Sequence, residues 1–433
     1  MKLDLIKMKK ITLGNLIIAL TLFCLLPFNV QGQSADSTLI LDELVQKVLT
    51  QNPKLKGSYE DWRASKTRIF QEQALPDPTL GINIMNLPVN SFAFDQEPMS
   101  GKQISLMQPF PFPGKLDLKG KIATSNSEIA LHQHKELQNQ LIKTAKQAYY
   151  DLFYVDQAIA TVANNQELLD EFVEIAETRY SVGNGLQQDV MRAQVALSKM
   201  IDRELKLRQQ RESIQARINT LINEPADAPL GKALILDLKE NGFQLDSLVQ
   251  LAGEENPVLA AWRMVIKRSE QKVNLALKNR YPDFSVGVAY TQRDPLQNGM
   301  KGYDFLSAMF NIKIPLYSNN KQSKKVQQTR IEQTSTEYRY QDIETSIEQK
   351  LQQSLTELKK NRRLIDLYKT GIIPQAEESL ESSMAGYQND KVDFLSLLDS
   401  ELTLFQFRLD YHRYLADYHK AIAELEALTG TEL

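Results

Sequence analysis

The residues from which this chain could build chemistry are few, and their spacing argues against most of it. There are 4 histidines and 1 cysteine. His132 and His134 stand two apart, so on a helix they point to different sides. His412 and His419 stand seven apart on one helix face, a spacing open to a ligand pair and to an ordinary heptad position. Met99, in "EPMSGKQ", is one thioether in a loop, less than a soft metal asks for. HExxH, a phosphate loop, a dinucleotide fingerprint and paired cysteines are missing. Neighbouring acids abound, as on any exposed helix. No metal, no cofactor and no enzymatic activity are expected.

The elements that must position the remaining polar residues follow from the whole chain. Its 433 residues carry a net charge of −3, too weak to argue for nucleic acid. A hydrophobic content of 42% excludes a disordered chain. A mean hydropathy of −0.37 is too polar for a bundle of membrane helices. At the start, Lys9 and Lys10 precede an uncharged apolar run over 11–30, with Val30 and Gly32 at its end. That is the form of a secretory signal cut after Gly32, residues 1–32; a retained anchor is the alternative. Phe23, before Cys24, is too large for a lipoprotein site, so the mature chain is expected without lipid or disulfide. No later segment approaches the ~20 apolar residues of a spanning helix. The chain is therefore either soluble beyond the inner membrane or crosses the outer membrane as strands.

Residues 121–182 contain neither glycine nor proline, which predicts one helix of roughly 90 Å at ~1.5 Å per residue. Leu141, Ala145, Ala148, Leu152, Val155, Ile159 and Val162 step by four and three, the seam of a coiled coil. "YSVGNGLQQD" breaks the helix at Gly183 and Gly185. Residues 319–370 repeat the pattern; Gly371 and Pro374 predict a kink, and "GYQNDKVDF" a second polar turn. Four segments alternate with period two around Leu80, Ile104, Val286 and Ile312, separated by loops 86–102 and 292–303 rich in Pro, Gly, Asn and Asp.

The plan is written twice. "LDELVQKVLTQNPKL" from Leu41 returns as "LDSLVQLAGEENPVL" from Leu245. Asn52-Pro53 matches Asn256-Pro257, Pro78 matches Pro282, and Tyr180 matches Tyr387. Two structural repeats are expected, 33–230 and 231–433. The first has strands near 78–86 and 103–112 and helices near 116–180 and 188–222. The second has strands near 282–291 and 304–316 and helices near 320–387 and 393–429. The fold class is mainly α with a membrane β-barrel contribution.

Each strand has one apolar face carrying aromatics and one small or polar face. That is inside-out for a soluble hairpin and suits lipid outside and water inside. Four strands cannot close a barrel, and open edges in lipid leave backbone groups unpaired, so closure requires more than one subunit. Hairpins packed on soluble protein, in a periplasmic coiled-coil scaffold or adaptor, are the alternative.

The paired "NP-x-L" openings, the duplicated hairpin and long-helix plan and the turn "YSVGNGLQQDV" together resemble the TolC family of outer-membrane efflux ducts across essentially the whole mature chain. "LPDPTLGINIMNLP" and "DQEPMSGKQISLMQPFPFPGKL" are similar to ducts of heavy-metal efflux systems. The resemblance implies a homotrimer with a shared 12-strand barrel in outer-membrane lipid over an α-helical periplasmic tunnel, in a Gram-negative-type envelope. Its partners would be a periplasmic adaptor (membrane fusion protein) and an inner-membrane pump of the RND type, and its cargo possible metal cations.

By its turn, Tyr387 matches the family's tip tyrosine and Asp189 the aspartate that holds it, a hydroxyl–carboxylate latch. The arginine expected five residues later is Val392 here. Of two constriction aspartates, Ser396 and Asp399 stand in the places, so one survives; a ring of Asp399 would favour cations, with Asp390 and Asp393 adding to the field or serving as solvated turn acids. The resemblance puts adaptor contact at Val182, Gly183, Asn184, Gly185 and Leu186. Phe110, Phe112, Tyr290, Tyr303 and Tyr317 are candidates for a membrane girdle or for ordinary packing.

Overall fold

The computed structural model describes residues 38–234, 238 and 242–433; the expected signal, 1–32, lies outside them. A short strand β1 (Thr38–Leu39) leads into helices α1 (Leu41–Gln51) and α2 (Pro53–Gln73). Strands β2 (Thr79–Met85) and β3 (Gly101–Phe110) follow, then helices α3 (Lys115–Ser181) and α4 (Gln187–Leu221). After a second short strand, β4 (Lys232–Ala233), the order recurs: α5 (Leu245–Glu255), α6 (Pro257–Lys278), β5 (Asp283–Gln292) and β6 (Phe305–Lys313). Helix α7 (Gln322–Leu367), a π-helical turn (Tyr368–Ile372), α8 (Ile373–Gln388) and α9 (Phe394–Thr429) complete the chain. Strands β3 and β6 stop short of the expected 112 and 316. Pro111 and Pro315, just beyond, have no N–H to give to a ladder.

The duplicated Asn-Pro does the same double task in both halves. Asn52 accepts from the Leu55 N–H at 3.2 Å, capping α2, and its amide donates to the Leu221 carbonyl at the end of α4, 2.9 Å away. Asn256 accepts from Val258 and Leu259 at 2.8 and 3.1 Å and donates to the Leu428 carbonyl at 2.7 Å. One side chain thus satisfies orphan donors at a helix start and an orphan carbonyl at a distant helix end. Proline follows at the first helical position, where its missing N–H leaves no gap.

Helix α3 runs 67 residues, about 100 Å. Leu141, Ala145, Ala148, Leu152, Val155 and Val162 are buried as the spacing predicts, but so are Tyr149, Tyr150, Phe153 and Ala158. The buried face is wider than a two-helix seam because α3 packs against α2, α4, α6 and α9. Among the described residues the core falls into three clusters. One gathers α1, the middle of α3 and the end of α4. A second joins the lower halves of α3, α4 and α9. The third joins α5, α6, α7 and the end of α9. At Gly371 and Pro374 the chain does not break. Pro374 cannot donate and crowds the preceding turn, and the helix absorbs this as a π-turn, with the Tyr368 ring against Phe407 and Tyr414.

The four long strands form one antiparallel sheet in the order β2-β3-β5-β6. The register aligns Leu80, Leu106, Val288 and Ala308 in one cross-strand row and Ile82, Ile104, Tyr290 and Leu306 in the next. These rows share one face, and Ile82 and Leu306 are 78% and 80% exposed. Rows on the opposite face join Gly81, Ser105, Ala289 and Ser307, then Asn83, Gln103, Thr291 and Phe305. At the helical end, the buried Lys115 ammonium donates to Asp283 at 2.7 Å and to the Tyr281 carbonyl at 3.1 Å, while Asp283 also accepts from the Phe112 N–H at 2.8 Å. This stitches the bases of the two hairpins together. Among the described residues, no helix is long and apolar enough to cross a membrane.

Candidate functional site

The far ends of the long helices bring two turns together, Val182–Leu186 between α3 and α4 and Asn389–Asp393 between α8 and α9. Between them lies an open groove of about 750 Å³. Gly183 takes φ +80°, where a Cβ would strain the backbone. In the last turn of α8, a Cβ on Gly386 would stand 2.5 Å from a Val392 methyl, so glycine there lets the second turn fold back on its helix.

Tyr387 is buried, 4% exposed, with its ring edge-on to Phe394 at 5.5 Å. Its hydroxyl has no hydrogen-bond partner among the described residues. Burial, and then the negative charge of Asp189, push its pKa upward against the opposing pull of Arg179, so the phenol stays protonated. The expected bond from this hydroxyl to Asp189 is not formed within the chain. Asp189 stands instead in the first turn of α4, where an acid suits the helix dipole.

The contact between the turns runs through Arg179, in the last turn of α3, a residue that reasoning from sequence passed over. Its Nη1 donates to the Tyr387 carbonyl at 2.8 Å and its Nη2 to the Asn184 carbonyl at 3.3 Å. Nη2 also donates to the Asp390 carboxylate. The guanidinium lies 4.7 Å from the centre of the Tyr387 ring. The available signal was a basic residue in the last helical turn before a glycine turn.

The other candidates separate. Asp390 lies at the groove in a left-handed conformation, φ +59°. Asp393 caps α9, accepting from the Ser396 N–H at 2.8 Å, and that bond holds its carboxyl below the usual range. Ser396 and Asp399 are exposed on α9 outside the groove. Gly183, Asn184, Gly185 and Leu186 line the groove, whereas Val182 is exposed beside it. The histidines do not converge: His134 bonds Ser58, His412 packs edge-on to Phe153 and His419 stacks on Tyr150.

At the other end of the molecule, Phe110 stacks on Phe284 at 6.0 Å and Phe112 on Tyr281 at 4.6 Å, both at the helical rim of the sheet. Tyr317 follows β6 at that rim and is 80% exposed. Tyr290 and Tyr303 stand toward the loop rim, the Tyr290 hydroxyl donating to Asp304.

The family described as outer membrane efflux protein matches residues 44–224 and 248–431. The cobalt-zinc-cadmium resistance protein CzcC of Cupriavidus metallidurans is 20% identical over 406 residues, covering 92% of this chain and 91% of that protein. Among solved structures, the outer membrane protein VceC of Vibrio cholerae superposes with a TM-score of 0.77 at 16% identity, over 90% of this chain and 96% of that one. CusC gives 0.77 at 13% identity, over 90% and 92%. The open MtrE outer membrane channel of Neisseria gonorrhoeae gives 0.73 at 15% identity, over 90% and 89%. At these identities the solved structures establish a shared fold.

Proposed function

The chain belongs to the outer membrane efflux protein family, and on that premise we propose that it is the outer-membrane exit duct of a tripartite export system. It would conduct passively what an inner-membrane pump of RND type and a periplasmic adaptor deliver. The observation that carries this reading is the sheet. Two rows of exposed aliphatic and aromatic side chains run across all four strands on one face, and the opposite face is mostly small or polar, with Met107, Met309 and Phe305 as bulky exceptions. Water would penalise the first face and lipid the second; a barrel wall reverses both penalties. Strands β3 and β5 have 10 residues each, near the roughly 9–11 of a tilted spanning strand.

The edges β2 and β6 are unpaired among the described residues. Three copies would join them into a twelve-stranded barrel, with α3, α4, α7, α8 and α9 of each copy lining a periplasmic tunnel. Aromatics at both rims, Phe110, Phe112 and Tyr317 below and Tyr290 and Tyr303 above, suit the two girdles of such a barrel. The exposed turn Val182–Leu186 is the surface offered to an adaptor. Heavy-metal cations are the proposed cargo, supported by the likeness to a cobalt-zinc-cadmium resistance protein and by the exposed Asp399 of α9.

Two measurements test the reading. Cell fractionation should recover the protein with the outer membrane, released only by detergent. The purified oligomer should give discrete conductance steps in a planar bilayer. Recovery from the soluble periplasm without detergent would favour the scaffold reading and end this one.

A further inference from the structure

We propose that Met107 and Met309 form a thioether site for a soft monovalent cation, Cu(I) or Ag(I), on the polar face of the sheet. The binding stands on the strand geometry by itself. It rests on the duct reading only for its consequence, that the site lines the exit path.

The two sulfurs come from different repeats and share one cross-strand row. That row joins Thr79, Met107, Gly287 and Met309. On the same face, the row on one side is Gly81, Ser105, Ala289 and Ser307, and the row on the other joins Pro109, Ser285 and Asn311. The methionines therefore rise from a low floor. Strands β3 and β6 stand two strand spacings apart, roughly 10 Å, with Gly287 between the two side chains. Both lean into that gap. A Cβ on Gly287 would stand 3.4 Å from the Met309 Cε, so the Met309 methyl lies over the glycine. From the other side, the Met107 sulfur accepts from the Asn311 amide of β6 at 3.7 Å, so Met107 reaches across β5. Sulfur is a weak acceptor, and one such bond leaves it a lone pair for a cation.

Packing gives these side chains little. Phe305, the other bulky residue of this face, is covered by the Arg293 guanidinium 4.1 Å from its ring centre. The methionines have only short and mostly polar neighbours, and both are half-buried, within reach of water. Thioethers are neutral, polarisable donors that select Cu(I) and Ag(I) over harder divalent ions. Two neutral sulfurs can hold a monovalent cation without the opposite charge that would trap it, and a conducting path needs binding weak enough to release. A side chain at position 287 would fill the space between the sulfurs.

The test titrates the purified oligomer with Ag(I) in chloride-free buffer. It compares the wild type with Met107→Leu, Met309→Leu, the double variant and Met99→Leu, each checked for unchanged oligomer mass. Leucine keeps the volume and removes the sulfur. The wild type should take up an additional Ag(I) equivalent per subunit relative to the double variant. Either single variant should bind it more weakly by roughly ten-fold or more. X-ray absorption at the silver edge should show two sulfur neighbours in the wild type. In bilayers, added Ag(I) should lower the current through the wild type and leave the double variant unchanged.

Equal Ag(I) isotherms for wild type and double variant overturn the site. So does a loss in Met99→Leu as large as in the single variants, which would mark any exposed thioether as sufficient. Zn(II) binding lost together with Ag(I) overturns the choice of a soft cation. A current equally affected in wild type and double variant overturns the place of the site in the path. If no protein conducts, the duct reading fails, while the isotherms still decide the site. Should one strand variant fail to assemble, the other carries the same comparison.

Discussion

Glu401 lies 3% exposed on α9, spaced between Leu398 and Phe405 on the face that joins the lower core. Its Oε2 has no hydrogen-bond partner among the described residues. Burial pushes its pKa up to about 7, with Arg408 pulling weakly the other way. The folded state therefore favours the neutral acid. Between about pH 4.5 and 7 the folded protein holds a proton that the unfolded chain has released, so stability falls as pH rises through that window. Glu401→Gln should remove the slope, raising stability at pH 8 by roughly 2–3 kcal/mol with little change at pH 4.5. Thermal melts at the two pH values measure this; equal melting of both proteins at pH 8 would refute it. A different residue sets the upper end of the helices. Asn256→Ala leaves the α6 start uncapped and the buried Leu428 carbonyl unpaired, at a cost of about 2–4 kcal/mol. Denaturant unfolding of the detergent-solubilised protein checks it, and a loss below 0.5 kcal/mol, the lower bound for a lost cap, counts against the double role.

At the scale of elements, the sheet makes the sharpest demand. Ile82 and Ser307 sit on opposite faces of its outer strands. An arginine at Ile82 would enter lipid, costing about 2–4 kcal/mol near the bilayer midplane. An arginine at Ser307 would enter the water-filled side. Ile82→Arg should therefore reduce the amount recovered in the outer membrane. Ser307→Arg should assemble normally and shift conductance toward anions. Equal effects of the two would mean that the sheet is not a barrel wall. The long helices depend on a different physics. Isolated helices gain little from propensity, and α3 is held by tertiary packing of one broad face along its length.

For the whole molecule, the edges of β2 and β6 are unpaired among the described residues and the apolar face is exposed, surfaces that the proposed trimer in its membrane would cover. Cross-linking of the detergent-solubilised protein should end at three subunits. In that assembly each Asp399 would stand in a three-fold ring. Asp399→Asn should then lower the cation-over-anion permeability ratio, read from the reversal potential in a salt gradient. An unchanged ratio would place Asp399 away from the ion path and return it to the solvated acids of an exposed helix.

How much of this was legible in the sequence follows from the range of each interaction. Alternation around Val288, the glycine-free run of α3, the turn at Gly183 and the Asn-Pro starts are local: each is set by neighbours within a few residues, and period, cap and turn chemistry reveal it. That Tyr387 and Asp189 meet at one turn pair was legible as an expectation, but what surrounds the Tyr387 hydroxyl was not, because its burial beside Arg179 and Phe394 is set by packing. The pairing of β3 with β5, the reach of Asn256 to Leu428, the tie of Lys115 to Asp283 and the grip of Arg179 on a turn 211 residues away are non-local. No periodicity encodes them. The sequence alone determined what elements form, since local backbone chemistry selects them. The tertiary structure decided which ends meet, since only packing sets which unpaired carbonyls and charges come within reach of one another.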